Sequence, residues 1–260
     1  MPNYTNMSLT IKGHIATLTL DNPPAHTWTK DGLNSLTTLV NDLNNNESVY
    51  ALVIHGSGDK FFSAGADLNS FADGDKGNAI SMAIAFAEAF EALTSYRGVS
   101  IAVINGYAMG GGLECALACD IRIAESHAVM ALPEASVGLL PCAGGTQNLP
   151  WLVGEGWAKR MILCGERVDA ETALRIGLVE EVTNQGQGLA AAQELAQKVA
   201  KQSPVAVSYC KDLIQSARHA PPAHNLIKER EAFVKLFDTA DQTEGVQAFL
   251  EKRKPVWQNK

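Results

Sequence analysis

Hydrophobic and polar residues follow three different patterns in the first part of the chain. They alternate over residues 9–20 on both sides of a Lys-Gly pair, which predicts a β-hairpin. Over residues 29–44 four leucines and a valine recur every three to four positions, which predicts a helix with Thr27 or Thr29 as its cap. Residues 50–55 are continuously apolar, as is typical of a strand buried within a parallel sheet.

Helical and strand patterns alternate along the rest of the chain. Strands that alternate with helices at this spacing indicate an α/β fold with right-handed crossovers. From residue 188 onward the pattern is helical. Before that point we predict a helix at 79–94, strands at 100–104 and 121–123, helices at 145–152, 156–164 and 170–176, and a last strand at 178–182.

The C-terminal helical stretch carries more apolar surface than a short tail can bury by itself. Such surface indicates a subunit contact. We therefore divide the chain into a core at 1–197 and a C-terminal helical oligomerisation region at 198–260. The apolar residues form two stripes, one of Leu226, Phe233 and Phe237 and one of Val246, Phe249 and Leu250.

Residues 105–114 join a predicted strand to a predicted helix and contain three consecutive glycines, at 110–112. Within a helix each glycine costs about 1 kcal/mol relative to alanine. One reason for them is a backbone that approaches a ligand closely and offers free N–H groups at the positive end of the helix dipole, which suits a developing oxyanion. The other is an ordinary glycine-rich turn that packs the helix closely on the strand. The cluster taken alone fits both equally well.

A second loop of small residues spans 56–68. Phe61 stands where a dinucleotide-binding fingerprint has its third glycine, and the loop lacks the Gly-Lys-Ser/Thr of a P-loop. Neither nucleotide-binding motif is therefore present. Residues 130–147 also have the composition of a loop but are unusually apolar, so we expect them to pack against another part of the protein.

Two glutamates accompany these loops, Glu114 after the glycine cluster and Glu134 in the apolar loop. If they converge near two backbone N–H donors, they suit acid/base chemistry next to a carbonyl that forms an enolate. Glu114 has the alternative role of a first-turn carboxylate that complements the helix dipole. Glu134 has the alternative role of an exposed loop carboxylate. Sequence spacing alone does not decide between these roles.

Composition limits the class of partner. Of 260 residues, 46% are hydrophobic and 19% are charged, as in an ordinary globular protein, and the net charge is -7. The basic residues form no long cluster, so we expect neither nucleic acid nor an anionic membrane as partner. The six histidines are scattered and form no H-E-x-x-H, so we expect no metal site.

Five cysteines, at positions 115, 119, 142, 164 and 210, form no C-x-x-C pair and lie mostly in apolar helical contexts. We expect them to be small buried hydrophobic residues in a reducing compartment. No run of about 18 apolar residues occurs, and residues 1–8 match neither a secretory signal nor a transit peptide. These features predict a cytoplasmic protein without a membrane span.

Several segments together give the chain a specific signature: 62–68 (FSAGADL), 105–114 (NGYAMGGGLE), 133–141 (PEASVGLLP), 144–147 (GGTQ), and 163–165 with 173–179. With them the chain resembles the enoyl-CoA hydratase/isomerase (crotonase) superfamily over nearly its whole length, and it is most similar to bacterial-type enoyl-CoA hydratases. The resemblance implies an α/β, crotonase-like (ClpP/crotonase) spiral of ββα units with a C-terminal helical trimerisation region, commonly paired into hexamers. It implies no cofactor apart from the coenzyme A carried by the substrate.

The resemblance also assigns roles to residues. It places the thioester oxygen of an acyl-CoA between the backbone N–H groups of Ala66 and Gly111. It makes Glu114 the base toward the attacking water and Glu134 the source of the proton at the α-carbon; members that only move the double bond generally lose the Glu114 equivalent, so the pair favours hydration. It further implies contacts with the substrate or its coenzyme A at Ala25, Ala64, Asp67, Leu68, Gly110, Pro133, Gly138, Pro141, Cys142, Phe249 and Lys252.

Two departures from the family pattern occur. Residues 25–29 (AHTWT) stand where many members have Ala-Leu-Asn-Ala-Leu, and Cys142 stands where hydratases often have glycine.

The implied reaction adds water across the C2–C3 double bond of a 2-enoyl-CoA, as in fatty acid β-oxidation. The alternatives are an enoyl-CoA δ-isomerase or other thioester-enolate enzyme, a non-catalytic CoA-ester or nucleic-acid-binding relative, and a hydrolase with Ser63 as nucleophile.

Overall fold

The computed structural model describes residues 4–260. Its strands are β1 (Met7–Lys12), β2 (Ile15–Leu20), β3 (Ala51–Gly56), β4 (Phe61–Ser63), β5 (Val99–Ile104), β6 (Tyr107–Met109), β7 (Ile121–Glu125), β8 (Val129–Ala131), β9 (Val168–Asp169) and β10 (Glu181–Thr183). Its α-helices are α1 (Lys30–Asn44), α2 (Lys76–Thr94), α3 (Gly111–Ala118), α4 (Gly145–Leu163), α5 (Ala170–Ile176), α6 (Gly188–Val199), α7 (Pro204–Ser216), α8 (Pro222–Leu236) and α9 (Ala240–Leu250).

The larger sheet has six strands in the order β1-β2-β3-β5-β7-β10. β1 and β2 form the predicted antiparallel hairpin, and the further neighbours pair in parallel. The predicted strand at 50–55 is β3, which lies near the middle of the sheet and is buried along most of its length. Helix α6 covers one face through Ala192 and Ala196, and the main hydrophobic core, which includes residues of α1, α2 and α3, fills the other.

The smaller sheet, β4-β6-β8-β9, consists of strands of only two or three residues. β4, β6 and β8 each follow a strand of the larger sheet, and α2, α3 and α4 come next in turn, so the chain makes three successive ββα turns. Hydrophobic alternation does not reveal these strands, because a run of three residues is too short for a period to be recognised. They position the candidate site, since β4 and β6 lead into the two glycine-rich loops.

The first two helices begin where a polar side chain caps them. Thr29 caps α1, because its hydroxyl accepts the N–H of Gly32 at 3.1 Å. Asp75 caps α2 by accepting the N–H of Asn78 at 2.8 Å, so α2 begins at Lys76, three residues before the predicted start. The predicted apolar face of α1 is confirmed, since its five members are buried: Leu33, Leu36, Leu39, Val40 and Leu43.

Two predicted boundaries change in the second half of the chain. The helices expected at 145–152 and 156–164 are the two segments of α4, which Gly154 interrupts with a positive φ of 76°. The last strand, expected at 178–182, is β10 and begins at Glu181, because residues 177–180 first turn out of α5, where Gly177 has a left-handed backbone.

The apolar segment 130–147 is only in part a loop. It contains the end of β8 and a short 3-10 helix, Glu134–Val137. The expectation that it packs against another part of the protein is wrong for Val137, Leu139 and Leu140 in the single chain, because their side chains are exposed along the edge of a cavity.

The prediction for the cysteines is correct at Cys115 and Cys119, which are buried in and just after α3. It is wrong at Cys142, Cys164 and Cys210, which are exposed. Their apolar sequence neighbours do not bury them, since Cys142 lies in the cavity wall, Cys164 lies at the C-terminal end of α4, and Cys210 of α7 lines a second cavity that also includes Leu117 and Ile121.

Helices α7, α8 and α9 form the C-terminal region. Lys211 of α7 joins this region to the core, because its buried Nζ donates to the carbonyl oxygens of Tyr96 and Gly98 and to the carboxylate of Asp120 at 2.6–3.1 Å. The subunit contact and the division at 197 and 198 stay predictions. All six residues of the predicted stripes are exposed in the single chain: Leu226, Phe233, Phe237, Val246, Phe249 and Leu250.

Candidate active site

The glycine-rich loops after β4 and β6 lie against each other. A Cβ atom added at Gly65 would lie 2.6 Å from the carbonyl oxygen of Met109 and 3.2 Å from the nitrogen of Gly111, and one added at Gly112 would clash with the carbonyl of Ser63. Gly65 also has a φ of +91°, which side chains other than glycine rarely tolerate. The glycines are therefore required by the close approach of two backbones.

Two backbone N–H groups at this contact are left unpaired. Trp28 pairs with Ala66 as an isolated parallel bridge: its N–H donates to the carbonyl of Gly65 at 2.8 Å and its carbonyl accepts the N–H of Asp67 at 3.1 Å. That pattern directs the N–H of Ala66 away from Trp28. Gly111 is the first residue of α3, where the N–H has no intrahelical acceptor. Within residues 4–260 neither N–H donates a hydrogen bond.

Ala66 and Gly111, which carry these two N–H groups, both line one cavity of about 190 Å³. Its wall is mostly apolar, and Phe71, Phe86 and Met109 contribute to it. A mostly apolar cavity with a few convergent polar groups is typical of a small-molecule site. Nine residues of the predicted site line it: Ala64, Ala66, Leu68, Gly110, Gly111, Glu114, Pro133, Glu134 and Cys142.

Glu114 lies in the first turn of α3, with 3% of its surface exposed. Its Oε1 accepts the N–H groups of Ala143 and Gly145, each at 2.8 Å, at the N-terminus of α4. Burial raises the pKa of Glu114, and the two N–H groups oppose that rise. The hydrogen bonds to Oε1 fix the carboxylate, and Oε2 stays available at the cavity.

Glu134 begins the 3-10 helix, and its carboxylate lies over Gly110: a Cβ atom at Gly110 would be 2.9 Å from Oε1. Its Oε2 is buried and has no hydrogen-bond partner within residues 4–260. Burial raises the pKa of Glu134 to about 7, and the negative charge of Glu114 adds to the rise. A carboxyl group with this pKa is protonated in a large fraction of molecules near neutral pH, so it can donate a proton.

The raised pKa of Glu134 predicts a pH-dependent effect of Glu134→Gln on stability. The folded protein holds this proton more tightly than the unfolded chain, so the stabilisation is complete below about pH 4.5 and is lost as the pH rises toward 7. Glutamine stays neutral at every pH. We expect the unfolding free energy of the variant to exceed that of the wild type by about 1–2 kcal/mol at pH 8, a value reduced for partial solvent exposure. Near pH 4 the two unfolding free energies should be equal.

Urea unfolding of both proteins at several pH values measures this difference. A difference in unfolding free energy that stays constant between pH 4 and pH 8 would contradict the raised pKa.

Six predicted contact residues lie outside the cavity wall. Ala25 accepts the N–H of Ala64 at 2.9 Å, and the carboxylate of Asp67 caps a 3-10 turn by accepting the N–H of Asn69 at 3.1 Å, so both hold the loop. Gly138, with a φ of 76°, ends the 3-10 helix of Glu134. Pro141 lies near Gly145, and Phe249 and Lys252 lie at the exposed C-terminal end of α9.

Sequence reasoning did not find the groups that hold Glu114, namely the N–H groups of Ala143 and Gly145. The signal for them was the Gly144-Gly145 pair, since a Cβ atom at Gly145 would lie 2.9 Å from Oε1 of Glu114. Trp28 was also missed as a partner of the first loop. The glycine pair marks a close approach but does not identify its partner, because these contacts join segments that are distant in the chain.

Ser63 does not have the surroundings of a nucleophile. Its side chain is fully buried, and its hydroxyl donates to the carbonyl of His26 at 2.7 Å and accepts the N–H of Gly65 at 3.2 Å. The His26 ring instead bonds to the backbone of Asn22 and Ser57. A serine nucleophile needs a base within hydrogen-bond reach of its hydroxyl, and among residues 4–260 Ser63 has none.

In residues 4–260 no three His, Cys, Asp or Glu side chains are grouped so that they could hold a metal ion. None of the helices in the same range has the length and hydropathy that a membrane crossing needs.

Comparison with known proteins places these features in a family. The sequence model for enoyl-CoA hydratase/isomerase matches residues 10–260. The chain is 36% identical over 250 residues to the short-chain-enoyl-CoA hydratase of Clostridium acetobutylicum, covering 96% of each protein. It is 38% identical over 241 residues to the 2,3-dehydroadipyl-CoA hydratase of Escherichia coli K12, covering 92% of each.

Solved structures show the same similarity. DspI of Pseudomonas aeruginosa superimposes with a TM-score of 0.97 at 64% sequence identity, covering 99% of this chain and 98% of DspI. An enoyl-CoA hydratase from Bacillus anthracis superimposes with a TM-score of 0.95 at 33% identity, covering 98% of this chain and 100% of that one.

Proposed function

Since this chain belongs to the enoyl-CoA hydratase/isomerase family, we propose that it is an enoyl-CoA hydratase, a lyase that adds water to a 2-enoyl-CoA thioester to give a 3-hydroxyacyl-CoA. The predicted α/β crotonase-like spiral of ββα units is confirmed by the family match and by the solved relatives. One observation carries the function: two carboxylates, Glu114 and Glu134, share a cavity with two unpaired backbone N–H groups.

The two N–H groups are proposed to bind the thioester oxygen. When water adds at C3, the π electrons of the C2–C3 bond move toward the carbonyl, and negative charge develops on that oxygen. The N–H groups of Ala66 and Gly111 are main-chain donors in segments that backbone hydrogen bonds and close contacts hold in place, so they need little reorganisation as the charge appears. Loss of one such donor typically costs about 3 kcal/mol of transition-state stabilisation.

The two carboxylates divide the proton transfers. Glu114 takes a proton from the water whose oxygen bonds to C3, while its Oε1 stays held by Ala143 and Gly145. Glu134, with its pKa near 7, gives a proton to C2 as the enolate collapses. Exchange with solvent then restores both groups, so one water is consumed and no other reactant is needed.

A second candidate function is an enoyl-CoA isomerase or another thioester-enolate enzyme, which needs the oxyanion donors and Glu134 but not Glu114. The fixed carboxylate of Glu114 favours hydration over this candidate. Curated relatives named as hydratases point the same way, although one is named a putative enoyl-CoA hydratase/isomerase of Bacillus subtilis.

Incubation with crotonyl-CoA in oxygen-18-labelled water tests the proposal. Hydration puts one solvent oxygen into the product, which mass spectrometry detects as labelled 3-hydroxyacyl-CoA. Double-bond migration leaves the product unlabelled, and an unlabelled product from both crotonyl-CoA and a longer 2-enoyl-CoA would reject the hydratase assignment.

The remaining features of the proposal concern assembly and setting. We propose a homotrimer or homohexamer, supported by the exposed apolar residues of α8 and α9, with Phe249 and Lys252 near the coenzyme A of a neighbouring subunit. We propose that no cofactor is needed beyond the coenzyme A of the substrate. The five free thiols suit the reducing cytoplasm, which is our proposed location.

A further inference from the structure

Trp28 contacts the segment that carries the first N–H donor. Its N–H and carbonyl bond to Gly65 and Asp67, the residues on either side of Ala66. Ser63 adds to this contact through its bond to the carbonyl of His26. The position of Ala66 therefore follows the position of the Trp28 backbone.

The side chain of the same residue contacts the second donor. The indole is 4% exposed, and its Cδ1 lies 3.6 Å from the place that a Cβ atom of Gly111 would occupy. Its ring meets Phe90 edge-on with centroids 5.7 Å apart, and Phe90 meets Phe86 in the same way at 5.6 Å. Phe86 lies in the cavity wall and contacts the same side of Gly111.

We propose that Trp28 is a positioning residue that sets the separation between the two oxyanion donors. Its backbone bonds to both neighbours of Ala66, and its ring supports the start of α3. The aromatic ring suits this role because it is large and rigid, whereas a smaller side chain leaves a void into which Gly111 can shift. The inference rests on the proposed function, in which both donors bind one thioester oxygen.

Two substitutions distinguish the contribution of the Trp28 ring from that of its indole N–H group. Within residues 4–260 the buried Nε1 has no hydrogen-bond partner, so Trp28→Phe removes no hydrogen bond and keeps an aromatic ring. Trp28→Leu removes the ring. A displaced donor of about 1 Å can cost about a hundredfold in rate. We expect Trp28→Leu to lower kcat by tenfold or more, with KM nearly unchanged, and Trp28→Phe to retain most of the activity.

A spectroscopic measurement reports directly on the hydrogen bonds that the two donors make to a bound thioester. A 2-enoyl-CoA bound to the Glu114→Gln protein should absorb at longer wavelength than in solution, because hydrogen bonds to its carbonyl oxygen polarise the conjugated thioester. We expect this red shift to shrink when Trp28→Leu is added and to persist with Trp28→Phe. If the leucine variant does not fold, Trp28→Met, which keeps more volume without the ring, carries the same expectation.

Leu39→Ala is the matched control, since Leu39 is a fully buried residue of the same core on α1. It should lower the melting temperature and leave the red shift intact. A full red shift and an unchanged kcat in Trp28→Leu or Trp28→Met would overturn the positioning role. The red shift requires binding but no turnover, so it tests Trp28 even if the wild type hydrates nothing, a result that would reject only the hydratase proposal.

Discussion

Glu114→Gln lowers kcat for hydration of a 2-enoyl-CoA by about a thousandfold, because general-base catalysis contributes between a hundredfold and ten-thousandfold and glutamine cannot take a proton from water. Glutamine keeps an oxygen that accepts the N–H groups of Ala143 and Gly145, so the start of α4 stays in place. KM is therefore expected to change little. Steady-state kinetics on crotonyl-CoA measures both constants.

The same variant separates the roles of the two carboxylates. Exchange of the α-proton of a saturated acyl-CoA with solvent requires the oxyanion donors and Glu134, so we expect Glu114→Gln to retain it and Glu134→Gln to lose it. Glu171→Gln is the matched control, since Glu171 is also a first-turn glutamate but is exposed on α5. A Glu114→Gln protein that hydrates at the wild-type rate would exclude Glu114 as the base.

Gly65→Ala is expected to lower kcat by about a hundredfold or more, in the range observed when an oxyanion donor is lost. The added Cβ atom would lie 2.6 Å from the carbonyl oxygen of Met109 and 3.2 Å from the nitrogen of Gly111. Both neighbours are backbone atoms, so the two loops must separate, and Ala66 and Gly111 can no longer converge on one oxygen. The expected signature is a lower kcat together with a smaller red shift of bound enoyl-CoA.

Gly13→Ala controls for the backbone strain of this substitution. Gly13 also has a positive φ, +58°, but an added Cβ atom there has no atom within 4 Å. It lies in the turn of the β1–β2 hairpin, so we expect a modest loss of stability and normal activity. Equal losses of kcat in the two variants would show that strain, and not the clash between the loops, causes the effect.

Elements whose hydrophobic pattern extends over many residues were predicted well. The hairpin, the buried strand β3 and the apolar face of α1 follow from alternation, continuity and helical spacing, each of which extends over six residues or more. The four short strands of the smaller sheet have no such pattern. They form because neighbouring ββα turns bring them together, so tertiary context and not local sequence determines them.

The candidate site likewise has features that the sequence predicted and features that only the structure shows. Glycines and small residues marked both loops, and the family resemblance named Glu114 and Glu134 as a pair. Their environments came only from the fold: the α4 N-terminus holds Glu114, and burial raises the pKa of Glu134 to about 7. Phe249 and Lys252 are exposed in the single chain, and their contact with the coenzyme A of a neighbouring subunit stays a prediction.

The most direct test of the central claim is the loss of the ultraviolet absorbance of the conjugated thioester when the purified protein meets crotonyl-CoA. The assay should be repeated with a longer 2-enoyl-CoA and with the Glu114→Gln and Glu134→Gln proteins. Two carboxylates that act together on one thioester predict rapid loss with the wild type and almost none with either variant. Unchanged absorbance of both substrates with the wild-type protein would contradict the account.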